Sequence, residues 1–169
     1  MKINPISVSM WLLIFVVLFI ILGGKWMLSS LARQFIYPAP YLQVTSPPPR
    51  MEEVFITSDE VPAICGWWFN PDVDTSTAVF LLFHGNGENL ESMKLSGTLK
   101  EFQTLHHPYL AVDYPGYGKS KGSSNEKDVI KSGLAAYVWL REQYPGHPVV
   151  ICGWSLGAAV GIQVGANAP

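Results

Sequence analysis

Val149-Val150-Ile151-Cys152-Gly153-Trp154-Ser155-Leu156-Gly157 is the stretch whose reading decides the fold. An apolar run leads into Gly-x-Ser-x-Gly, and small residues, Ala158-Ala159-Val160-Gly161, follow it. The run Val149–Cys152 predicts a buried strand, and the segment from Leu156 predicts the start of a helix. A serine between them is either an ordinary turn residue or a nucleophile on a sharp strand-to-helix turn. The second reading makes physical demands. The serine backbone must be strained, and glycine on each side lets strand and helix approach where a Cβ would collide. Ser155 then sits at a helix N-terminus, where free N–H groups and the helix dipole favour a developing anion.

Working outward, the same alternation recurs. Thr77–Phe83 is a continuous apolar run, the mark of a strand covered on both faces. Leu90 to Leu105 has helical spacing, with Leu90, Met93, Leu95, Leu99 and Phe102 mostly on one side. Tyr109–Val112 is a short strand. Asn125 to Tyr144 is the clearest helix, with Ser123-x-x-Glu126 as a candidate capping box and Val129, Ile130, Leu134, Tyr137, Val138 and Leu140 as its apolar stripe. Gly146 and Pro148 stop it. Ahead of all these, Glu53–Thr57 and Ala63–Asn70 flank a turn at Asp59-Glu60 and read as a hairpin. Two antiparallel strands followed by strand–helix repeats imply an α/β fold, a mostly parallel sheet with helices on both faces.

Two further loops follow predicted strands. His84-Gly85-Asn86-Gly87-Glu88-Asn89 is rich in glycine and asparagine and can aim backbone N–H groups into a site. A Gly-x-Ser-x-Gly hydrolase needs two oxyanion donors, one after the nucleophile and one from such a loop. That assigns the N–H groups of Leu156 and Asn86. His84 reads as a brace for this loop rather than a base. The other loop, Asp113-Tyr114-Pro115-Gly116-Tyr117-Gly118-Lys119-Ser120-Lys121-Gly122, matches neither a phosphate-binding loop nor a dinucleotide fingerprint. Asp113 precedes the serine, whereas this architecture places its acid and then its histidine after it.

The three motifs, with Ala135-Ala136-Tyr137-Val138-Trp139-Leu140 between them, resemble the α/β-hydrolase superfamily, and within it the membrane-anchored abhydrolase-domain serine hydrolases. The resemblance runs over about residues 50–168, the N-terminal half of the fold. It implies a Ser155 nucleophile acting on ester, thioester or amide bonds of a small-molecule, acylated or peptide substrate, with no metal or organic cofactor. It also places the triad Asp and His after residue 169. His106, His107 and His147 all precede Ser155 and read as surface or loop histidines. An apolar edge strand favours a longer protein over a short one. The competing reading is a truncated, non-catalytic membrane or interaction protein that retains hydrolase motifs.

The N-terminus is of a different character. From Ile6 to Gly24 there is no charge, and Met10–Leu22 is unbroken apolar sequence with Trp11 and Trp26 near its ends. Such a stretch spans about 28 Å as a helix, close to a bilayer's hydrocarbon thickness. It predicts a helix over about 6–28 within a membrane anchor at 1–36. Lys25 and the poor cleavage site at Ser30-Leu31-Ala32 favour an uncleaved anchor over a signal peptide. Lys2 on one side and Lys25, Arg33 and Arg50 on the other leave the orientation of this single-pass protein open. Pro38, Pro40 and Pro47-Pro48-Pro49 make 37–50 a stiff connector to a domain at 51–169. Only 14% of residues are charged and the net charge is −2, which excludes an acidic or basic tail and gives no footprint for nucleic acid. Cys65 and Cys152 lie in apolar runs and read as core residues, not as a disulfide or a metal site.

Overall fold

A computed structural model describes residues 5–71 and 78–169, in two units divided after Ile36. Thr77, taken above as the start of a strand, lies outside the described residues.

The first unit is one helix, α1 (Pro5–Ile36). Its segment Met10–Leu28 has 19 residues and a mean hydropathy of 2.3, with none of it buried. By length and composition it can cross a bilayer. The helix runs on to Ile36 instead of stopping near residue 28. Pro38 sets its end, because the residue before a proline is pushed out of the α region.

The second unit is built on a five-stranded sheet of order β1-β2-β4-β3-β5. β1 (Met51–Ser58) and β2 (Val61–Phe69) form the expected hairpin around Asp59-Glu60, pairing Met51 with Phe69 and Ile56 with Ile64. β2 lies antiparallel to β4 (Tyr109–Val112), and β4 is parallel to β3 (Val79–Phe83), which is parallel to β5 (Val149–Gly153). The chain leaves β3 for β4 on one side and returns to β5 on the other. The strand order therefore reverses between β3 and β5, where α/β sheets place their ligands.

Alternation along β3 divides the core. Val79, Leu81 and Phe83 pack with Val129, Ala136 and Leu140 of α4 (Glu126–Gln143) and with Val160 and Val164 of α5 (Leu156–Asn167). Leu82 faces the opposite layer, with Leu90 and Met93 of α2 (Leu90–Leu95) and Leu99 of α3 (Thr98–Thr104). Helices thus cover both faces.

Four expectations are corrected. The helix expected over Leu90–Leu105 is broken at Gly97, whose φ of +86° is left-handed and ends the first piece. The cap of α4 is Asn125, whose side chain accepts the Asp128 N–H at 3.0 Å, rather than Ser123. The buried face of α4 keeps Val129 and Leu140 of the expected stripe, but Ser132, Gly133 and Ala136 complete it, while Val138 is exposed. Gly133 explains this: a Cβ there would lie 2.6 Å from Val164 Cγ2 and 3.1 Å from Phe83 Cζ, so the α4–α5 seam admits only a small residue. Finally, β5 is half-exposed, with Val150 at 39%, because among the described residues it pairs only with β3.

Residues 37–50 lie along the second unit instead of standing free. Thr45 donates its N–H and hydroxyl to Glu91 Oε2, each at 2.8 Å, and Asn89 Nδ2 donates to Leu42 O at 2.7 Å. Lys119 Nζ donates to Thr45 O at 2.6 Å. Burial raises the Glu91 pKa, but the Thr45 donors and Lys94 outweigh it and hold the carboxyl below its ordinary value.

Candidate active site

The three glycine-rich motifs follow β3, β4 and β5, which run parallel, so all three emerge at one edge of the sheet. His106, His107 and His147 precede β4 and β5 and lie at the other edge, a strand of roughly 16 Å away along β5. His107 packs its ring on Phe80, and the His147 carbonyl accepts from Arg141.

Ser155 occupies the turn between β5 and α5 with φ 53° and ψ −120°, a conformation L-residues rarely adopt. Its side chain is exposed and makes no capping bond to the helix. The two flanking glycines are both required by packing. A Cβ on Gly153 would lie 2.3 Å from Gly157 O, and one on Gly157 would lie 2.2 Å from Phe83 O and 2.7 Å from His84 O. Strand β5, helix α5 and the end of β3 therefore meet backbone to backbone, and the strained turn is what this closeness imposes. Leu156 is the first residue of α5, so its N–H is among those a helix leaves without an internal partner.

The 84–89 loop turns at Asn86-Gly87, and Asn86 is exposed. Gly85 N–H is occupied: it donates to Glu88 Oε2 at 2.6 Å. The same oxygen accepts Trp154 Nε1–H at 2.6 Å. Nothing in the sequence pattern singles out Glu88, because the bond to Trp154 joins it to a residue 66 places away. Asn89 closes the loop as the cap of α2, exchanging bonds with Ser92.

His84 is fully buried. Its Nδ1 donates to Gly85 O at 2.9 Å, and its Nε2 lies 3.3 Å from Asp113 Oδ1. Tyr114 donates its hydroxyl to His84 O at 2.7 Å, and burial, with the neighbouring Tyr117 and Asp113, raises its pKa. Asp113 Oδ1 also accepts Leu90 N–H at 2.9 Å. Gly118, with φ +51°, closes over this carboxylate so tightly that a Cβ would fall 2.0 Å from Oδ2. The Ser120 hydroxyl donates to Asp113 O and accepts Cys65 N–H, joining the loop to β2. His84 and Asp113 thus share one buried contact beneath the loop.

Burial pushes the Cys65 thiol up to about 12 and raises that of Cys152 as well, so neither is a thiolate at neutral pH. Among the described residues no group of His, Cys, Asp and Glu is placed to hold a metal ion. Beside Leu156 an open apolar groove of about 350 Å³ runs between α4 and α5, lined by Tyr37, Val129, Ile130, Val160 and Ile162.

A mixed sheet with helices on both faces, and a strained serine turn at its reversal point, defines an α/β hydrolase scaffold. The family model described as alpha/beta hydrolase fold matches residues 78–169, and the chain belongs to that family. Among curated proteins it is similar to lysophosphatidylserine lipase ABHD12 of Danio rerio, 29% identical over 93 residues, covering 55% of this chain and 24% of the relative. The Gallus gallus protein of the same name is 30% identical over the same share. The chain thus spans about a quarter of the length of these relatives. Among solved structures, the Pyrococcus furiosus esterase Pf2001 aligns with a TM-score of 0.62 and 23% identity over 74% of this chain and 49% of that one. An α/β serine hydrolase homologue from Coxiella burnetii aligns at 0.59 with 16% identity over 73% and 59%. At these identities the two structures establish the fold.

Proposed function

We propose that the protein is a membrane-anchored serine hydrolase that cleaves an acyl bond, with a carboxylic ester of a lipid as the preferred class. The observation that carries this reading is the exposed Ser155 at φ 53° between two glycines whose Cβ positions are filled by backbone. Ser155 Oγ attacks the acyl carbonyl carbon, and its proton passes to a histidine base oriented by an acid. Chain order in this fold puts both of those groups after α5. The oxyanion sits between the N–H groups of Leu156 and Asn86, each such donor contributing about 2.7–4 kcal/mol in comparable sites. The lipid ester is favoured over other acyl bonds by the lipase relatives, by the apolar groove beside Leu156, and by α1, which is long and apolar enough to cross a bilayer.

The test is fluorophosphonate labelling and p-nitrophenyl ester turnover by the full-length protein in carbonate-washed membranes. The wild type is expected to label and turn over in the membrane fraction. Ser155→Ala is expected to abolish labelling and lower kcat by at least about ten-thousandfold. Labelling that persists in Ser155→Ala refutes the nucleophile, and an unlabelled wild type points to the non-catalytic alternative.

A further inference from the structure

Glu88 has no part in the reading above, yet its carboxylate sits where the two halves of the site meet. Oε2 accepts from Gly85 N–H and from Trp154 Nε1–H, both at 2.6 Å. Gly85 immediately precedes Asn86, and Trp154 immediately precedes Ser155. One oxygen therefore links the residue before the proposed oxyanion donor to the residue before the proposed nucleophile. The junction leaves no slack: a Cβ on Gly85 would lie 2.9 Å from Oε2 and 3.1 Å from both Cδ1 and Nε1 of Trp154. Because Gly85 N–H points at Glu88, Asn86 N–H is the next amide along the loop.

Resting on the hydrolase reading, we infer that Glu88 is a positioning residue of that site, setting the separation of Asn86 N–H from Ser155 Oγ. Bonds to a carboxylate are shorter and stronger than neutral ones, which suits a link between two loops. Its charge is otherwise a handicap, since an anion near a developing oxyanion opposes it. The useful property is thus the doubly accepting oxygen, not the charge, and glutamine retains an oxygen of that kind.

Kinetics of the full-length protein on a p-nitrophenyl ester test this. Glu88→Ala is expected to lower kcat by about tenfold to a hundredfold while KM stays within about twofold, as for an interaction made in the transition state. Glu88→Gln is expected to restore kcat to within about threefold of wild type. Trp154→Phe, which keeps a ring and removes the indole donor, is expected to lower kcat about fivefold. Glu88→Ala/Trp154→Phe is expected to be no slower than Glu88→Ala, because both changes cut one link. Wild-type kcat in Glu88→Ala, a Gln variant as slow as Ala, or multiplicative losses in the double variant each overturn the inference. If Glu88→Ala does not fold, Trp154→Phe decides, and an unchanged kcat there overturns it. Failure of the underlying reading is distinct: the wild type is then itself inactive, or Ser155→Ala remains active.

Discussion

His84 Nε2 and Asp113 Oδ1 lie 3.3 Å apart with both side chains wholly buried. The pair joins the loop after β3 to the loop after β4, and Asp113 also holds the first N–H of α2. Removing Asp113 leaves the buried Leu90 N–H without its acceptor, and an unsatisfied buried group of that kind typically costs about 1–3 kcal/mol.

Asp113→Ala is therefore expected to lower the unfolding free energy of the full-length protein by about 1–3 kcal/mol in a urea titration. A catalytic acid would behave in the opposite way, losing turnover at unchanged stability. An Asp113→Ala variant that is stable but inactive would move Asp113 into the chemistry.

The glycines of the serine turn should respond according to what surrounds them. Gly157→Ala forces a methyl to 2.2 Å from Phe83 O and is expected to prevent folding. Gly165, later in α5, has only Ile151 Cδ1 at 3.7 Å, an ordinary contact. Gly165→Ala is expected to stabilise the helix by about 0.5–1 kcal/mol. Thermal melts of the two variants check both signs, and a well-folded Gly157→Ala would contradict the packing account.

The three motifs were legible because each depends on local pattern: an apolar strand, then glycines at fixed spacing. The strained backbone of Ser155 followed from the same pattern, since Gly153 and Gly157 announce a turn too tight for side chains. What escaped depends on contacts between distant segments. The small-residue face of α4 makes sense only with Val164 and Phe83 against Gly133. The run 37–50 reads as a proline connector until Thr45 is seen bonded to Glu91. Glu88 looked like one more polar loop residue, because its second donor is 66 residues away on Trp154.

Alkaline pH should weaken the fold. Thiols and phenols ionise near 9.0 and 10.0 when unperturbed, but burial pushes Cys65 and Tyr117 up to about 12 and raises Tyr109 and Tyr114 further. Between those limits the unfolded chain binds fewer protons than the native one, so stability falls as pH rises. It is fully present below pH 9 and declines through about 12, by up to about 1.4 kcal/mol per pH unit for each group. Urea midpoints from pH 8 to 12, with tyrosinate absorbance recorded alongside, test this. Tyrosinate appearing well before unfolding would contradict it.

The Ser120 hydroxyl that joins Asp113 O to Cys65 N–H also governs timing. Its two ends on β2 and the third loop are 55 residues apart in the chain. Asp113 N–H bonds Cys65 O and Lys121 N–H bonds Ala63 O, so the part of the inner edge of β2 at Ala63–Cys65 waits for this segment, while Gly66–Phe69 waits for β4. At the usual 5–20 residues per second of synthesis, the Ala63–Cys65 stretch waits roughly 3 to 11 s on the ribosome. Until β4 emerges, Trp67, Trp68 and Phe69 lack their inner partner, and an unpaired strand edge is a template for pairing with another chain. The arrangement that places the loops also makes their birth the moment at which the protein is most exposed to misassembly.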